Sequence, residues 1–147
     1  MTANEKTASG PAHAAGETSG SPQRPAQRLT GTALTFDLAA EVAGLRSEAS
    51  WQRGDRNAKT LVKEAAFRVV LTTLKEGARI DSHEVHAQFS LQALSGRVRV
   101  TLPGQPGDPG RTIEVPSGHF LSVEEGIQHE VEALEESAFL LTIGAPP

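Results

Sequence analysis

Five histidines and no cysteine bound the chemistry open to this 147-residue chain. Two of them, His83 and His86, stand three apart in GARIDSHEVHAQFSLQALSG, residues Gly77 to Gly96, just ahead of strand-forming residues. A third, His129, follows a turn at Gly126. Imidazoles in this setting suit two kinds of chemistry. They can ligate a divalent metal such as Fe, Mn, Ni or Zn. They can also hold a ligand by hydrogen bonds or move its protons, because an ordinary imidazole titrates near neutrality. Without cysteine there is no disulfide, no thiolate nucleophile and no sulfur-ligated zinc or iron–sulfur centre. No G-x-S-x-G elbow, P-loop or dinucleotide fingerprint occurs.

The elements that must position these residues begin after a polar stretch. Residues 1–30 are built from Ala, Gly, Ser, Thr, Pro, Glu and Gln. Burial there cannot offset the entropy of ordering, so this segment, with His13 in it, is expected to be a disordered tail. Its removal, through residue 28, is expected to leave stability unchanged. Residues 31–58 are expected to form a short helix and a turn, and residues 59–147 one small domain. The net charge of −4 carries no Lys/Arg block, which argues against a nucleic-acid footprint. No apolar run is long enough to cross a membrane and the first residues lack an apolar leader, so a cytoplasmic setting is expected.

In FDLAAEVAGLRSEAS, Leu38, Val42 and Leu45 fall on one helical face and Asp37 is placed to cap the helix. Trp51 follows and reads as an anchor for that helix, with Gly54 and Asn57 marking a turn. The periodicity then changes. KTLVKE, FRVVLTTL, FSLQAL, RVRVTL, RTIEV, HFLSV, HEVEAL and AFLLTIG are short, β-rich segments separated by turn residues, which predicts an all-β sandwich or barrel. Val98, Val100 and Leu102 share one face of their strand, leaving Arg97 and Arg99 to solvent. PGQPGDPG reads as a long surface loop within a hairpin.

This punctuation resembles the cupins, small jelly-roll barrels. Their first motif, G-x5-H-x-H-x3–4-E-x6-G, is met here by Gly77, His83 and Gly96; their second, G-x5-P-x-G-x2-H-x3-N, by Gly118, Gly126 and His129. The resemblance covers roughly residues 59 to 143 and implies a single cupin barrel of the RmlC-like type, commonly a homodimer. It also implies a metal held by two histidines and a glutamate of the first motif plus the histidine of the second. Of those positions only His83 and His129 keep their residue. Val85 stands at the second histidine and Phe89 at the glutamate; Glu124 and Ala133 replace the proline and asparagine.

Neighbours could stand in for the missing ligands only with a change of face. Strand side chains alternate, so His86 faces away if His83 faces inward, unless a bulge re-aims it. Gln88 and Gln92 offer only weak amide ligands, and Gln92 faces away from Leu91 and Ala93. His119, Glu124 and Glu125 read as surface or turn residues. The expected site is therefore a pocket formed by His83, Val85, Phe89 and His129 that binds a small molecule with a degenerate metal site. The alternative is a metal-dependent enzyme of the oxygenase or isomerase type with His83, His129 and a shifted His86 as ligands. A third reading makes the barrel chiefly a homodimerisation unit with its interface near Trp51. The fold alone does not choose among them.

Overall fold

In the computed structural model the described residues are 24, 28–83 and 86–144, with Ser82 and His83 described by backbone alone. They form two short helices, α1 (Leu38–Ser47) and α2 (Ala49–Arg53), and then strands only. The strands are β1 (Arg56–Glu64), β2 (Phe67–Leu74), β3 (Arg79–His83), β4 (Gln88–Ser95) and β5 (Arg97–Gln105). These are followed by β6 (Asp108–Pro116), β7 (Phe120–Val123), β8 (His129–Ala133) and β9 (Ser137–Gly144). All pair antiparallel in two sheets: β1-β2-β9-β4-β7, here sheet A, and β3-β8-β5-β6, here sheet B. The inner faces meet in a core built by strict alternation, with Phe89, Leu91, Phe139 and Leu74 from sheet A against Val98, Val100 and Val131 from sheet B.

Several sequence expectations are corrected. The first strand begins at Arg56, not Lys59, so Asn57 is a fully buried strand residue and not part of a turn. Strand β3 was not visible by alternation because RIDSH carries a single apolar residue, Ile80. PGQPGDPG is not a long loop. The β5–β6 ladder runs through Pro103↔Gly110 to Gln105↔Asp108, which leaves Pro106 and Gly107 as a two-residue turn. Proline presets the first turn position and Gly107, at φ +87°, supplies the left-handed second one.

A second apolar layer lies on the outer face of sheet A. Asp37 caps α1, its carboxylate accepting from the Ala40 N–H at 3.1 Å, as expected. The helix packs Leu45 onto Leu61 and Leu71, with Phe36, Leu38, Val42 and Leu94 around them. Register breaks in β1 and β4 fall at Leu61 and Leu94, and both side chains join this layer; the bulge in β1 turns Val62 to the same face. Trp51 is buried in α2 under two cations, Lys75 at 5.0 Å and Arg46 at 5.6 Å from its ring. It therefore closes a seam within the chain and offers little of its surface to a partner.

Asn57 ties the helices to the sheet. Its amide donates to the Leu45 carbonyl, at the end of α1, and to Glu48, each at 2.9 Å. Arg24 in turn donates to both Glu48 oxygens, at 3.0 and 2.7 Å, and Leu29 accepts a backbone bond from Lys63 on the outer edge of β1. Arg24 and Leu29, within the segment expected to be a disordered tail, thus touch the folded part of the chain. Residues 1–23 and 25–27, on which most of that expectation falls, lie outside those described.

Candidate functional site

The inner end of the site is a pair of rings. Phe89 on β4 and His129 at the start of β8 are both buried, with ring centroids 4.5 Å apart and planes tilted by 41°. Each sits on an inward register position. Phe89 pairs across the ladder with Val123 of β7 and Ile143 of β9, while His129 pairs with His83 of β3. The ring Nδ1 of His129 lies 3.2 Å from the Ile127 carbonyl. A carbonyl only accepts, so in that bond the proton sits on Nδ1. Phe89 thus brings an apolar ring to the position where the motif would carry a carboxylate.

The other expected site residues are scattered. His86 is exposed in a bend beyond the end of β3, so strand alternation from His83 does not extend to it. Val85 lies outside the described residues. His119, Glu124 and Glu125 are exposed in turns. Among the described residues no three His, Cys, Asp or Glu side chains gather as a metal would need.

Outside the ring pair the two sheets part. A cleft of about 540 Å³ opens between the far end of the β5–β6 hairpin and β7 with the turn that follows it. Leu102, Ile113, Leu121, Val123 and Ile127 form its apolar floor, and Gln105, Asp108, Arg111 and Glu124 stand at its rim. Val123 and Ile127 belong to both places, as Val123 is the ladder partner of Phe89 and Ile127 binds the His129 ring. The cleft residues were not singled out by sequence. The only signals were the alternation Val98-Val100-Leu102 continuing to the hairpin end and Ile127 standing alone in the polar run EEGIQHE.

No family model and no curated protein matches this sequence. Solved structures do. A conserved protein of unknown function from Streptococcus pyogenes superposes at a TM-score of 0.61 with 20% identity, over 85% of this chain and 98% of that one. A cupin superfamily protein from Desulfitobacterium hafniense gives 0.56 and 14%, over 63% and 80%. An oxalate decarboxylase variant from Bacillus subtilis gives 0.56 and 21%, over 62% of this chain but 26% of that one. The chain therefore has the cupin fold. At such identities the likeness speaks for the fold and leaves the chemistry to the residues.

Proposed function

We propose that this protein binds a small molecule at the mouth of a cupin barrel and that the barrel carries a degenerate metal site. The observation that carries this reading is the cleft with an apolar floor, whose lining residues Val123 and Ile127 also flank the buried Phe89–His129 pair. A concave surface of this size, with an apolar floor and a polar rim, suits a small organic ligand that has both kinds of group. His129 and His83, opposite one another in the β3–β8 register, would serve as hydrogen-bonding anchors at its inner end. We place the protein in the cytoplasm, a setting its cysteine-free sequence permits; among the described residues no helix is long and apolar enough to cross a membrane. The proposal includes a homodimer. Its support is Phe120, 65% exposed on the edge strand β7 beside the uncovered part of sheet A. Sedimentation of wild type against Phe120→Asp checks this, and equal mass for both overturns it.

Two measurements test the binding site. Amide shifts on adding hexanamide, a neutral apolar probe, should cluster at Ile113, Leu121, Val123 and Ile127. Shifts confined to α1, or none at all, would remove the cleft reading. Protein isolated without an affinity tag and exposed to Fe(II), Mn(II), Ni(II) or Zn(II) should hold well under one metal per chain. Stoichiometric metal that disappears in His129→Ala would restore the metal-dependent alternative.

A further inference from the structure

The inward face of β6 ends in a cation. Val98↔Val115, Val100↔Ile113 and Leu102↔Arg111 are successive cross-strand pairs on one face of the β5–β6 ladder. Directly opposed residues of an antiparallel pair project to the same side. Val98, Val100 and Val115 are core residues and Leu102 and Ile113 pack against that core, so Arg111 belongs to the same inner face where it widens into the cleft. The alternation would carry an apolar side chain at this position, yet a guanidinium stands there.

Its pairing also differs from that of the other arginines of sheet B. Arg79 reaches Glu130 and Glu132, Arg97 reaches Glu114 and Glu135, and Arg99 reaches Glu132, all on the outer face. Arg111 makes no ion pair or hydrogen bond with any described residue. Its ladder partner is Leu102, and β6 is the edge of sheet B, so no carboxylate faces it from either side. The two acidic residues of the cleft do not supply one. Asp108 has one oxygen engaged by the Gly110 N–H at 2.9 Å, and Glu124 lies on the opposite wall without an ion pair to a described residue.

Building on the cleft reading, we infer that the ligand carries a single negative charge, a carboxylate, held by Arg111, with a short apolar body on the floor of Leu102, Ile113, Leu121 and Val123. A planar guanidinium offers a carboxylate two parallel donors, which sets orientation as well as affinity. The carboxylates of Asp108 and Glu124 on the rim repel a second negative charge, so a monoanion is accepted and a phosphate dianion is disfavoured.

Three six-carbon probes with one tail separate the possibilities: hexanoate, hexanamide and hexyl phosphate, titrated into the full chain and followed by amide shifts at the cleft. In wild type, hexanoate is expected to bind about tenfold more tightly than hexanamide, and hexyl phosphate more weakly than hexanoate. In Arg111→Gln the advantage of hexanoate over hexanamide should vanish while hexanamide keeps its affinity. Arg111 is exposed at the rim, so this variant should fold normally, and the unchanged hexanamide response confirms it. In Glu124→Gln the gap between hexyl phosphate and hexanoate should narrow. Equal binding of hexanoate and hexanamide in wild type, or a preference that survives Arg111→Gln, overturns the inference and leaves the cleft reading standing. Failure of all three probes to shift the cleft overturns both.

Discussion

The outer faces of the two sheets solve the same problem in opposite ways. Sheet A covers part of its outer face with α1, and the apolar layer between them centres on Leu45, Leu61 and Leu71 at 1%, 1% and 0% exposure. Sheet B has no such cover and turns to water a lattice of Arg79, Arg97 and Arg99 with Glu114, Glu130, Glu132 and Glu135. Stability on the first face should come from removing apolar surface from water. On the second it comes from charge pairs that water and salt screen. The difference predicts a steep contrast in how the two faces respond to change.

The largest effect should follow truncation under the helix. Leu71→Ala leaves a cavity between α1 and β2 that neither a sheet nor a capped helix can collapse to fill, and is expected to cost about 2–5 kcal/mol. Chemical denaturation of this variant beside Arg99→Ala, expected to lose less than about 1 kcal/mol, tests the comparison directly. Similar losses at both positions would show that the two faces are not built on different principles.

Next in size is the seam that fixes α1 to sheet A. Asn57 is fully buried, and its amide group makes three hydrogen bonds: to the Leu45 carbonyl, to Glu48 and from the Ala58 N–H. Asn57→Ala removes one donor each from a helix-end carbonyl and a carboxylate in a poorly solvated place, leaving them to the Glu48 N–H and to Arg24. A loss of roughly 1–3 kcal/mol is expected, with faster amide exchange along α1 than along β5. Uniform change of exchange across both sheets would instead mark a global effect.

The contrast between Asn57 and the motif glycines explains what the sequence made legible. Gly77, Gly96, Gly118 and Gly126, four of the six positions that matched the cupin pattern, all have positive φ. At Gly96 an added Cβ would also lie 2.2 Å from the Glu136 carbonyl and 2.4 Å from Ser137 Oγ. Those residues encode backbone turns, which is why the pattern located strands and barrel while leaving the chemistry open. Alternation likewise placed Phe89 and Leu91 inward and Arg97 and Arg99 outward, as observed. What alternation could not give depends on tertiary pairing. Asn57 in GDRNAK looks like a turn residue because its partners, Leu45 and Glu48, come from a helix that only packing brings near. Strand β3 is held by its partner β8, with one apolar residue of its own. The cleft and Arg111 needed the register of β5 against β6 before a cation could be placed on an inner face.

The same seam also gives a pH dependence. Hydrogen bonds from Arg24 hold the Glu48 carboxyl below its ordinary range; burial opposes this, and the Asn57 amide adds to the lowering. A depressed folded pKa stabilises the protein above the unfolded value, near 4.3 for glutamate, and that stability is lost as pH falls through the folded value. Wild type should therefore exceed Glu48→Gln in denaturation midpoint at pH 7, and the gap should close on acidification below pH 4. Arg24→Ala should act in the same direction. A gap that stays constant with pH would mean that Glu48 acts only through packing.

The smallest effect belongs to the charged face. Glu132 lies within reach of both Arg79, at 3.5 Å, and Arg99, at 3.4 Å, on strands that flank β8. Both guanidiniums are substantially exposed, and ion pairs of that kind contribute about 0–1 kcal/mol and weaken with salt. Glu132→Gln removes the charge shared by two arginines, so like charges on β3 and β5 face each other across β8. The expected result is a shift of a few tenths of a kcal/mol at low ionic strength, shrinking toward zero at molar salt, where the Debye length is about 3 Å. Leu71→Ala should show no such convergence, because salt does not screen a cavity. A Glu132→Gln loss that persists in molar salt would place part of the stability of sheet B in packing beneath the ion pairs, and the two outer faces would then differ in degree and not in kind.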